Sequence, residues 1–107
     1  MKQREVIAEL MARLQHIVTR PMMFMTNVTP DNVINFCYGF SCAYSVIGIR
    51  PSSDIRSQAN NSRGWEFGSS HGISVMRSAG LSEEQMVQEL LLIEIKMLEL
   101  VAEGLAD

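Results

Sequence analysis

The last quarter of the chain constrains the fold most. Ser82 and Gln85 stand as N-cap and N3 of a capping box, with Glu83 and Glu84 between them, and Leu81 is placed to staple onto Met86. The helix that starts there should run to about Glu103, with Gly104 as its stop. Met86, Val87, Leu90, Leu91, Met97, Leu98 and Val101 recur at the i, i+3, i+4 spacing of one face. Such a face has to be covered by other helices, so the expected class is all-α. Leu92, Ile95 and Leu100 are left over beside the stripe, and this surplus points to a helical partner, first of all another copy of the chain. Glu94 falls on the stripe itself, where an unpaired carboxylate is costly. A boundary salt bridge to Arg4, Arg13 or Arg77 is the expected remedy, and a carboxyl tuned for acid catalysis is the alternative.

Residues 2–20 predict an amphipathic helix. Val6, Ile7, Leu10, Met11, Leu14, Ile17 and Val18 share one face, Glu5, Glu9, Arg13, His16 and Arg20 the other, and Pro21 ends it. Met22, Met23, Phe24 and Met25 form an apolar connector expected to tuck over the core. Thr29 as N-cap, Pro30 at the first helical position and Asp31 beside the positive helix end start a second helix over 30–48. Its apolar residues cover most of the circumference, which reads as the central helix of the fold. Gly39 costs about 1 kcal/mol against Ala within a helix, so a close approach of backbone or ligand is expected there. Residues 50–72 are rich in turn formers and give one long irregular connection, with a short helix over 54–59 capped by Ser53. Residues 73–79 suggest a short helix stopped by Gly80. The expectation is a single helical domain over 1–107, of three or four main helices.

At 107 residues, 47% apolar and 20% charged, the chain has the composition of one folded domain. Its formal charge of −3 is uneven. Lys2, Arg4, Arg13 and Arg20 make the first helix basic, whereas Glu83, Glu84, Glu89, Glu94, Glu99, Glu103 and Asp107 make the last one acidic, so the two can lie side by side. Overall acidity argues against nucleic acid as a partner. No stretch reads as a secretory signal or a membrane span, and a cytoplasmic location is the expectation. Cys37 and Cys42, five apart on a helix, point about 140° from each other and are expected to be reduced, buried thiols.

Chemistry-bearing residues gather in two places. Arg63, Trp65, Glu66 and His71, with Phe67, lie on a glycine-punctuated loop, the kind of segment that often carries function. The plainer reading has Trp65 and Phe67 pinning that loop to the core while the charged groups stay solvated. Asn35, Tyr38, Cys42 and Ser45 form a polar stripe along the second helix that, beside Gly39, can line a pocket. His16 and His71 share no ligand spacing with the cysteines, so neither a metal nor a cofactor is expected.

Two functional readings follow. The first is a non-enzymatic interaction module, a homodimer formed through Leu92, Ile95 and Leu100. The second is a small-molecule-binding protein or enzyme using the 63–71 loop and a pocket beside helix 30–48, with Tyr38, Cys42, Arg63, Trp65, Glu66 and His71 as its candidate residues. DNA-linked regulation is weaker, because residues 73–79 offer a recognition helix only Arg77. In its compact, single-domain, motif-poor character the chain resembles the small orphan proteins of bacterial mobile gene cassettes, such as integron cassettes. That resemblance implies a bacterial cytoplasmic protein with an accessory or adaptive role, and it carries over no site residue.

Overall fold

The structure is a computed structural model that describes residues 2–68 and 71–105. It contains five α-helices: α1 (Gln3–Thr19), α2 (Pro30–Ser45), α3 (Ser53–Ser62), α4 (Gly72–Ser78) and α5 (Glu83–Glu103), with a 3₁₀ turn at Pro21–Met23. The described residues contain no strand, so the all-α class holds with more helices than expected. The additional one is α3, longer than the short helix expected at 54–59. Its cap is Ser52, whose hydroxyl accepts from the Ile55 amide, and it runs through Asn60, Asn61 and Ser62. Only Ala59 of this helix is fully buried, so an apolar stripe was too thin to mark it and its asparagines read as turn formers.

Local signals elsewhere act as their chemistry dictates. The Thr29 side chain accepts from the Asn32 amide and Pro30 opens α2, while Ser82 and Gln85 form both hydrogen bonds of the capping box. Gly80 takes φ +92°, a conformation that favours glycine and turns the chain from α4 towards α5. α2 ends at Ser45, short of the expected Gly48, in a turn closed by hydrogen bonds from the Ile47 and Ile49 amides to the Tyr44 carbonyl.

The central helix is α5, not α2. α1, α2, α3 and α4 all pack on α5, and Met86, Val87, Leu91, Met97 and Leu98 on it are buried. α2 buries only Pro30, Val33 and Tyr44 and leaves Tyr38 exposed, and Val46 and Ile47 in the turn after it are exposed as well. Its apolar residues therefore cover more of the helix than the fold conceals. α1 runs antiparallel to α5: Arg4 Nη2 donates to the Leu105 carbonyl at 2.9 Å at one end, and Val18 and Thr19 share a groove with Glu83, Glu84 and Val87 at the other. The basic and acidic helices thus lie together, as their charges predict.

The main core comprises Ile7, Leu14 and Ile17 of α1, Val33 and Tyr44 of α2, Ile49, Ala59 of α3, and Val87, Leu91, Met97 and Leu98 of α5. A second cluster of Ile73, Met76 and Met86 carries Trp65 and Phe67 at its margin. Leu90 and Ile93 border both clusters, so the core is continuous. The 22–25 connector does not cap it: Met25 packs on the core, but Met22 and Met23 are 77% and 70% exposed. Gly39 is also exposed, and a Cβ there would meet nothing within 4 Å, so no close approach requires this glycine.

Candidate functional site

α2 and α3 both lie against α5 rather than closely against one another, and a cleft of about 180 Å³ opens between them. α5 supplies its floor with Leu90, Ile93, Glu94 and Met97. Ile34, Cys37, Tyr38 and Ser41 form the α2 wall, and Arg56 and Asn60 the α3 wall. The residues from each helix follow i, i+4 and related spacings, so one face of each points inward. Cys37 and Ser41 are small, which leaves the space between the walls open. Arg56 reaches across from α3, its Nη2 donating to Ser41 Oγ at 3.4 Å.

Glu94 is the chemically distinctive group. It is only 6% exposed, and its Oε2 is buried without a hydrogen-bond partner. No ion pair to Glu94 forms among the described residues. The three arginines expected to neutralise it are placed elsewhere: Arg4 reaches Leu105, Arg13 is exposed on α1, and Arg77 pairs with Glu83 at 3.2 Å. Burial raises the Glu94 pKa to about 7, against the smaller opposing pull of the Arg56 positive charge. Its neighbours respond to the same apolar surroundings. Burial, with a contribution from the Glu94 charge, pushes the Cys37 thiol up to about 12, so this sulfur stays protonated and is a poor nucleophile. Tyr44, whose hydroxyl is likewise buried without a partner, is also raised by burial and then by Glu94.

The 63–71 loop builds a different feature. Arg63 grips Glu89 through two hydrogen bonds, at 2.9 and 2.8 Å, and the Trp65 indole donates to the same carboxylate at 3.0 Å. Trp65 stacks on Phe67 with ring centroids 6.0 Å apart. Hydrogen bonding to Arg63 holds the Glu89 carboxyl below its ordinary range despite partial burial. The loop is therefore pinned to α5 and the second cluster, in keeping with the plainer reading, although Arg63 is engaged rather than free. A shallow hollow beside it is bordered by Arg63, Trp65, Glu89 and Leu92.

Of the residues singled out in the sequence, Tyr38 lines the α2–α3 cleft, while Arg63 and Trp65 border the hollow. Cys42 is exposed and outside the cleft, contrary to the expectation of two buried thiols. Asn35, Glu66 and His71 are exposed as well, and Ser45 Oγ donates to the Cys42 carbonyl within its own helix. Leu92, Ile95 and Leu100 are half-buried, the last two against the main core. Sequence reasoning missed Cys37, Ser41, Arg56 and Asn60 as cleft residues. The i, i+4 pairs Cys37/Ser41 and Arg56/Asn60 were the available signal.

Among the described residues no cluster of three or more His, Cys, Asp or Glu side chains is positioned to hold a metal, and no helix is long and apolar enough to cross a membrane. No protein-family model, curated protein or solved structure shows significant similarity to the chain.

Proposed function

We propose that this chain is a small-molecule-binding protein whose site is the cleft between α2 and α3. The observation that carries the reading is the Glu94 carboxyl, buried beneath the cleft with an oxygen that no group among the described residues satisfies. Buried polar atoms are normally paired, and leaving one unpaired costs about 1–3 kcal/mol or more for a charged group. A ligand that enters the cleft supplies the missing partner. The surroundings suit this role, with apolar walls for a ligand's body and a few polar groups at Ser41, Arg56 and Asn60 to orient it. The test is a fragment screen by amide-resolved NMR on the full chain. Expected are shifts concentrated at Cys37, Tyr38, Ser41, Arg56, Asn60 and Glu94. Fragments that perturb only the Trp65 hollow, or none of these residues, overturn the reading.

Self-association is the second reading. It is favoured by the exposed Met22, Met23 and Phe24 beside a groove of about 750 Å³, and by Leu92, the one residue of the surplus apolar set that borders a surface hollow. Light scattering over a concentration series tests it, with Leu92→Glu and Met22→Glu as dissociating variants. A monomer at every concentration removes it.

A further inference from the structure

We infer that the cleft selects a small primary amine on an apolar body, its ammonium group seated on the Glu94 carboxylate; this rests on the ligand-binding reading above. Glu94 is the only acidic residue lining the cleft. When ionised it is an acceptor alone, so its complement is a donor, and a positively charged donor gains most in apolar surroundings. Among the described residues no side chain takes that place. Arg56, the cation of the cleft lining, is directed to Ser41 instead of forming an ion pair with Glu94. Its charge limits the ligand to one ammonium, because the far end of a diamine would meet a like charge. Ile34, Leu90, Ile93 and Met97 provide the apolar walls for the ligand's body. The cleft, about 180 Å³, lies below the usual range of ligand pockets, roughly 300–1,000 Å³, a size that suits a compact amine.

The same arrangement dictates how binding responds to pH. Cys37 and Tyr44 of α2 and Arg56 of α3 are the titratable or charged groups that interact with Glu94. Cys37 and Tyr44 are raised further above neutrality, which leaves Glu94 to titrate near pH 7. An ammonium ion requires the carboxylate, so its binding expels a proton and tightens as pH rises through this range.

The experiment is an NMR titration of the full chain at pH 6 and pH 8 with 2-phenylethylamine, the neutral 2-phenylethanol and the anionic 3-phenylpropionate. Expected is tightest binding of the amine, with affinity rising roughly tenfold between the two pH values, and a loss of roughly tenfold or more in Glu94→Gln. The alcohol should respond little to either change. Arg56→Ala should bind the amine more tightly at pH 8, and this exposed substitution keeps the test independent of any folding defect in Glu94→Gln. If the alcohol or the propionate matches the amine while the cleft amides still shift, the amine inference fails and the cleft stands. If none of the three probes moves those amides, the amine inference falls and the ligand-binding reading loses its support at this site.

Discussion

Replacing Glu94 with Gln should stabilise the protein at pH 8 and leave it nearly unchanged at pH 4. The side chain is 6% exposed, with its Oε2 unpartnered, and burial raises its pKa from the ordinary 4.5 to about 7. A carboxyl whose pKa is higher in the folded chain than in the unfolded one keeps its proton longer when folded. Between pH 4.5 and 7 the folded state thus binds more protons, and stability falls as pH rises. At about 1.4 kcal/mol per pH unit, the full penalty above pH 7 is roughly 3.5 kcal/mol, and below pH 4.5 it fades away. Gln has the shape of the protonated acid but never ionises, so it should escape this penalty. Urea unfolding of both proteins from pH 4 to pH 8.5 measures the difference, in which the titration of every group they share largely cancels. Parent and variant should agree near pH 4 and diverge to roughly 3 kcal/mol at pH 8. A variant less stable than the parent at pH 8, or a constant difference across the range, would falsify the description of Glu94 as buried and unpartnered.

Three further outcomes can be measured. Glu89→Ala removes both bonds of the Arg63 fork and the indole bond at once; it should cost about 1–3 kcal/mol and shift the fluorescence of Trp65, the single tryptophan, to longer wavelength. Because the folded-state pKa of Glu89 is lowered, its contribution is complete above the ordinary carboxylate range and fades as pH falls through 4.5 and below, so parent and variant should converge in acid. Gly39→Ala should raise stability by about 1 kcal/mol, since the added methyl group meets nothing within 4 Å; a loss in urea unfolding would show that the position is constrained after all. A thiol reagent should modify exposed Cys42 in the native protein and spare Cys37, as read by peptide mass mapping; equal rates would contradict the burial of Cys37.

The helix starts at Thr29 and Ser82 were the most legible part of the sequence, because a cap is a local device. Ser82, Gln85, Thr29 and Pro30 act on backbone groups within one turn, whatever packs around them. The order of helices about α5 has no such local record. α2 looked central because its apolar residues encircle it, yet nothing in its own sequence reveals that Tyr38, Val46 and Ile47 face water. The site followed the same division. Glu94 stood out at once as a carboxylate on an apolar stripe, but which cation would reach it depended on helix placement. Arg56 stands nearest in effect, on a helix whose thin apolar content concealed it. Glu89 was also missed as the anchor of the loop, since its partners lie 24 and 26 positions away in sequence.

The place of α5 at the end of the helix order has a consequence for how the protein comes into being. A ribosome releases α1, α2, α3 and α4 before the helix on which all four pack. A nascent chain that stops short of residue 83 holds the Ile7, Leu14, Val33 and Met76 side chains with no α5 surface to receive them. Folding must then await the release of α5, and joining α1 to α5 across nearly the whole chain makes the slow, long-range kind of closure. Until α5 emerges, the growing polypeptide leaves those apolar side chains without the surface that buries them in the native fold.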